Sequence, residues 1–185
     1  MGSGKSTALA ALERLGAAVL SSDAVVHELY EGEQLRAALV ARWGPEVAPG
    51  GVVDRAAVAE HAFARDEDRS WLEGLLWPLV GARVGAWLAQ ERARHPSPRA
   101  AVVEVPLLFE AGLENLYDAT IAVIGDERVR AHRAAGRGHA LAEERAARQL
   151  SQQEKAKRAT FVVRNDGTEE DLERELSLVL GRLGR

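Results

Sequence analysis

The residues with the clearest chemical potential are Gly2, Ser3, Gly4, Lys5, Ser6 and Thr7, in the run GSGKST. The phosphate-binding pattern G-x-x-x-x-G-K-[ST] asks for a flexible backbone, a cation and a hydroxyl in that order, at the start of a helix. Gly4, Lys5 and Ser6 supply its last three defined positions, and its first glycine falls ahead of the first residue of the chain. Glycines at 2 and 4 let the main chain approach phosphate oxygens without a Cβ in the way. Amides around Gly4 to Ser6 then point at the anion from the positive end of a helix. In this pattern Lys5 bridges the β- and γ-phosphates, and the Ser6 hydroxyl ligates Mg²⁺. The alternative is a helix start rich in small residues. The six-residue match, with TALAALERLG directly behind it, favours phosphate binding by a helix from Ala8 to Leu15 that stops at Gly16.

Other chemistry lies where short apolar runs end. In LGAAVLSSDAVVHELY, Asp23 stands just past a strand, where a carboxylate either accepts a proton from an attacking hydroxyl or caps the following helix. Glu104 interrupts the apolar run AVVEVP; a charge there is costly unless paired. It stands where such proteins carry an acid near Mg²⁺, with a surface ion pair as the alternative. In DERVRAHRAAGRGHALAEERAARQ, Arg133 and Arg137 are four apart and share a helix face, while the remaining arginines alternate with glutamates as on a solvated face. His27, His61, His95, His132 and His139 show no metal-ligand spacing.

The elements that must position these groups follow an alternating pattern. Strands are predicted at Ala18–Leu20, Ala101–Val105, Thr120–Ile124 and Phe161–Val163, separated by helical stretches, which is the mark of an α/β fold with a parallel sheet. Ligands in such sheets bind beyond the carboxyl ends of the strands. From about Glu33 to Arg94 the chain is helical, with an apolar stripe through Trp71, Leu72, Leu75, Leu76, Leu79, Val80, Val84, Trp87 and Leu88, and Pro78 is expected to kink it. Its tryptophans are read as core packing. A final amphipathic helix carries Leu172, Leu176, Val179, Leu180 and Leu183 on one stripe. A strand preceding GSGKST would bury five or six apolar side chains, on the order of 10 kcal/mol, comparable to a domain's net stability of about 5–15 kcal/mol. We therefore expect the natural chain to begin upstream, with Met1 an internal methionine or a misplaced start.

The bulk numbers fit a globular protein: 185 residues, 46% hydrophobic, 28% charged and no cysteine, with no apolar run of bilayer-spanning length. A net charge of −4 lacks the basic footprint of a general nucleic-acid binder. Any anionic ligand must be held by a local cluster. A cytoplasmic enzyme is the simplest fit.

The succession GSGKST, LGAAVLSSDA, GGVVDRAAVAEHAF, LEGLLWPLV, VVEVPLLFEAGL and RQLSQQEKAKRATFVVRNDGT, from Gly2 to about Thr168, resembles the dephospho-coenzyme A kinase family. The resemblance implies a single P-loop kinase domain over 1–185. It has a parallel sheet flanked by helices, a helical acceptor-binding insert at about 32–94 and a lid at about 128–150, with the first strand missing from this chain. It implies transfer of the ATP γ-phosphate, with Mg²⁺, to the ribose 3′-hydroxyl of dephospho-coenzyme A. Gly2 through Thr7 would hold the phosphates and Mg²⁺, with Glu104 near the metal. Asp23 would be the base, Lys5, Arg133 and Arg137 would act on the transferring phosphoryl, and Asn165 would lie at the adenine edge. Arg55, Pro106, Leu107, Leu108 and Glu110 would line the acceptor side.

The sequence departs from the family pattern in places. Ser21 replaces the first aspartate of a D-A-D motif, Trp77-Pro78 stands for a His-Pro pair, Ala159-Thr160 for Ala-Asp, and the lid is about three residues short. The partner implied is the small-molecule substrate, with no nucleic acid, no membrane and a monomeric state. Two alternatives are a kinase for another small hydroxylated acceptor and a truncated nucleotide-binding protein with impaired catalysis.

Overall fold

The computed structural model describes residues 4–125 and 149–183. Contacts divide the chain into two compact units, Met1–Val19 with Arg94–Arg185, and Leu20–Ala93.

The first unit begins with helix α1 (Lys5–Arg14), whose N-cap is Gly4. The helix starts three residues earlier than the apolar spacing suggests, so Lys5, Ser6 and Thr7 occupy its first turn. It ends in a Schellman motif: Gly16, at φ 90°, donates its N–H to Glu13 O and Ala17 donates to Leu12 O. That left-handed turn favours glycine, as the sequence reading of Gly16 anticipates.

Strand β1 (Ala18–Ser21) follows, paired with β2 (Ala101–Glu104). β3 (Ile121–Ile124) pairs in parallel with β4 (Phe161–Arg164), with Ile121 opposite Phe161 and Ile124 opposite Arg164. The four strands thus form two hydrogen-bonded pairs. Both pairs pack on one core, in which Ala8, Ala11 and Leu12 of α1 meet Leu172, Leu176, Val179 and Leu180 of the last helix, with Val19, Val102, Ile121 and Val163 against them. That helix, Glu169–Leu183, buries the predicted stripe except at its end, where Leu183 is exposed.

The Ala159-Thr160 departure has a structural counterpart. Thr160 N–H donates to Thr120 Oγ1 at 3.0 Å and Thr120 N–H donates to Thr160 Oγ1 at 3.1 Å. These reciprocal bonds satisfy the amides just before β3 and β4.

The second unit contains α2 (Ser22–Glu31), α3 (Glu33–Trp43), α4 (Arg55–Ala64) and α5 (Asp66–Ala93). Two short 3₁₀ turns at Pro45–Val47 and Pro49–Gly51 join α3 to α4, where the sequence WGPEVAPGG carries its turn residues. Leu35, Leu39, Val47 and Val58 form the core, with Trp43, Trp71, Leu72 and Leu75 around them. Beside this core, Asp68 is almost fully buried; it accepts from Arg42 Nε at 3.1 Å, Arg42 Nη2 at 2.8 Å and Trp43 Nε1 at 3.3 Å. The Arg42 hydrogen bonds, against the cost of burial, hold the Asp68 carboxyl below its ordinary range. Trp43 stacks on His61 and meets Trp71 edge-on, so His61 serves packing.

Helix α5 is one 28-residue element that continues through Pro78. Pro78 and Gly74, whose carbonyl loses its donor, are both exposed, which leaves that carbonyl open to solvent. Trp77 is 58% exposed and is not part of the core.

Leu39 is fully buried at the centre of the second unit. We expect Leu39→Ala to cost about 2–5 kcal/mol, through lost burial and an unfilled cavity. Denaturant unfolding followed by tryptophan fluorescence checks this.

Candidate active site

The phosphate-loop half of the site is built by the start of α1. Gly4 adopts φ 83° and ψ 27°, a left-handed conformation that L-side chains resist. The first-turn amides that follow have no intrahelical partner, and Gly4 has no side chain with which to cap them. An uncapped helix start presenting amides, the Lys5 ammonium and the Ser6 hydroxyl matches an anion and its counter-cation. Gly2 and Ser3 lie outside the described residues.

Three strand ends add to this unit. Glu104 is the last residue of β2 and is half-buried. Asn165, directly after β4, is 5% exposed, and its backbone N–H donates to Ile124 O at 2.8 Å. Because β3 and β4 are parallel, Gly125 and Asn165 leave the sheet at the same edge. Among the described residues no cluster of three or more His, Cys, Asp or Glu is placed to hold a metal. A Mg²⁺ ion carried by phosphates needs only one or two protein oxygens, which Ser6 and Glu104 would supply.

The stretch PLLFEAG coils into a turn closed by Gly112 at φ 67°, with Ala111 N–H bonded to Leu107 O and Leu113 N–H to Leu108 O. Its residues therefore point different ways. Leu107 is exposed, Pro106 and Leu108 are half-buried and Phe109 is buried, with the Arg158 guanidinium 5.4 Å from its ring centre. Glu110 turns inward; its Oε1 accepts from Lys155 Nζ at 2.8 Å and from Leu150 N–H at 2.9 Å. Burial opposes ionisation of Glu110, but the Lys155 hydrogen bond and main-chain donors outweigh it, so its carboxyl lies below the ordinary range.

In the second unit, α2 carries Asp23 in its first turn. Its carboxylate is exposed and makes no hydrogen bond or ion pair with the described residues. The helix's N-cap is Ser21, the position at which the sequence departs from the family's aspartate. His27, four residues on, shares Asp23's helix face and contacts Arg55 Nη1 at 2.7 Å through Nδ1. Arg55 is held at the start of α4 because Asp54 caps that helix, accepting from Ala56 N–H at 2.9 Å. The unit thus gathers Asp23, His27 and Arg55. The sequence reading weighed His27 only as a metal ligand; its four-residue spacing from Asp23 places it on this face. Arg133 and Arg137 lie outside the described residues.

A glycine-led, uncapped helix start in an α/β core is the frame of a phosphate-binding P-loop fold. The dephospho-CoA kinase family model matches residues 1–171. The chain belongs to that family. It is 39% identical to a dephospho-CoA kinase of Thermus thermophilus over 99% of this chain and 88% of that one. It is 37% identical to a dephospho-CoA kinase of Deinococcus radiodurans, with the same coverage. The crystal structure of TT1252 from Thermus thermophilus superposes with a TM-score of 0.78 at 37% identity, over 99% of this chain and 93% of that one. A dephospho-CoA kinase from Campylobacter jejuni, 22% identical, shares the fold with a TM-score of 0.65, over 99% and 93% of the two chains. The family comprises phosphotransferases with an alcohol acceptor that use ATP, typically with Mg²⁺. No helix among the described residues is long and apolar enough to cross a membrane.

The Glu110 carboxyl sets a pH dependence. A carboxyl depressed by folding contributes stability above its unfolded pKa and loses that contribution as pH falls through its folded value. We expect the stability gap between wild type and Glu110→Gln to be widest near neutrality and to narrow on acidification to about pH 3, below the ordinary carboxylate range. Paired denaturant titrations across that interval measure it.

Proposed function

We propose that this chain transfers the ATP γ-phosphate to the ribose 3′-hydroxyl of dephospho-coenzyme A. The observation that carries the reading is the match over residues 1–171, which runs through both units and includes the uncapped start of α1.

In this mechanism Gly2 to Thr7 wrap the triphosphate, and Lys5 balances the charge on its β- and γ-phosphates. The Ser6 hydroxyl, with Glu104 nearby, would hold Mg²⁺, which when bound neutralises the developing phosphate charge. Asp23 accepts the proton of the attacking 3′-hydroxyl as its oxygen bonds to the γ-phosphorus and the bond to ADP breaks. The exposed, uncommitted carboxylate of Asp23 suits that role. Arg55, steadied by His27, meets the anionic acceptor, and Pro106, Leu107, Leu108 and Glu110 belong to the acceptor side. Arg133 and Arg137 supply positive charge to the transferring phosphoryl, and Asn165 stands at the adenine edge. We place the enzyme in the cytoplasm as a monomer, acting on a small molecule and not on nucleic acid; the net charge of −4 supports the last of these.

Asp23→Asn is expected to leave ATP affinity unchanged and to lower turnover at least about a hundredfold, the scale of general-base help. A coupled assay of ADP release with dephospho-coenzyme A, beside isothermal titration with ATP, separates the two effects. Unchanged turnover would remove Asp23 from the mechanism, and a preference for another hydroxylated acceptor would redirect the assignment of substrate.

A further inference from the structure

The short helix Gln152–Arg158, here α6, begins with a capping box: Ser151 Oγ accepts from Glu154 N–H at 3.2 Å, and Glu154 Oε2 accepts from Ser151 N–H at 2.8 Å. One face of this helix, at positions 152, 155 and 158, is fully engaged. Gln152 forms a matched pair of bonds with one residue, its Oε1 accepting from Gly125 N–H at 2.8 Å and its Nε2 donating to Gly125 O at 2.9 Å. Lys155 reaches Glu110 at 2.8 Å. Arg158 Nε donates to Glu114 at 2.9 Å while its guanidinium lies over Phe109. Glu110 and Glu114 are both largely buried, at 13% and 19% side-chain exposure. Spaced four apart, they answer cations spaced three apart on α6.

We propose that α6 is a positioning element for the acceptor: its Gln152, Lys155 and Arg158 lock the PLLFE turn to the end of β3, and Glu110 is a strut in that lock, not a contact to substrate. Three observations carry this beyond ordinary packing. Glu110 Oε1 is taken by Lys155 and Leu150 N–H, and its Oε2 is buried with no hydrogen-bond partner among the described residues. The lock joins the residues after β2 to the residue after β3, two positions at which ligands meet such sheets. Its bonds also secure the chain on both sides of residues 126–148, at Gly125 and at Leu150. Buried, hydrogen-bonded charges of this kind hold a geometry more than they add stability. The inference rests on the reading that Pro106 to Glu110 belongs to the acceptor side.

A double-mutant cycle tests it, with Glu110→Gln, Lys155→Met and the double variant assayed for both substrates. If Glu110 acts through Lys155, each single variant raises KM for dephospho-coenzyme A about tenfold, the double is no worse than either single, and KM for ATP stays within about twofold. Lys155→Arg should restore most of the loss, since it keeps a donor to Glu110. Additive losses in the double variant, or a large loss in Glu110→Gln with none in Lys155→Met, would make Glu110 a direct substrate contact and overturn the proposal. Should a charge variant fail to fold, Gln152→Met removes the Gly125 bonds alone. It is expected to raise KM for dephospho-coenzyme A selectively, and equal KM values for both substrates relative to wild type would overturn the idea. A wild type that turns over another acceptor but not dephospho-coenzyme A would bring down the proposed function itself, and the positioning role with it; turnover with an additive cycle brings down the positioning role alone.

Discussion

The open positive end of α1 is the constraint around which the first unit is organised. A helix start without a capping side chain leaves several amides unsatisfied, each carrying a cost unless water or a ligand accepts from it. In the proposed mechanism bound phosphates offset that cost, and the requirement propagates. Gly4 must take a left-handed conformation, so it cannot carry a larger side chain without strain. The helix behind it must be rigid and well seated to keep its amides aimed. Ala8, Ala11 and Leu12 provide that seating against Leu172, Leu176 and Leu180, and the Schellman turn at Gly16 fixes its far end.

The second unit solves a different problem with different means. It presents a carboxylate, an imidazole and a guanidinium on helices instead of at strand ends, so helix placement has to be secured by side-chain packing. The tryptophan cluster around Asp68 does this. One nearly buried carboxylate collects two donors from Arg42 and one from Trp43, while Trp71 closes over the pair from the neighbouring helix. A buried polar group of this kind is costly when unsatisfied and specific when satisfied. It sets the position of α5 against α3 more sharply than apolar contacts alone would.

The first unit uses the same device where α6 meets the PLLFE turn. The two carboxylates there are largely withdrawn from solvent, so the geometry of their pairs matters more than their count. The contrast with Arg14 and Glu173, an exposed pair on α1 and the last helix, is instructive. Exposed pairs contribute little, and nothing else in the fold hangs on that one.

Much of this was legible in the sequence. The four strands fall within a residue or two of where apolar runs end, because each contributes apolar side chains to the core. The helix behind GSGKST and the amphipathic last helix were equally plain, since both depend on local spacing. Three features were not. Spacing alone does not show that one 28-residue helix runs on through Pro78, because its continuation depends on packing and solvent around that turn. Trp77 lies outside the predicted stripe, and its exposure follows from helical position relative to neighbours, which residue type does not show. Glu110 reads as one more residue of an acceptor-side motif. Only folding brings Lys155 and the Leu150 amide, both some forty residues on, against its carboxylate. The sequence by itself determined the elements and the family, since these follow from short-range pattern. The pairing of buried charges and the facing of side chains were decided by tertiary structure, because both depend on contacts between residues far apart in the chain.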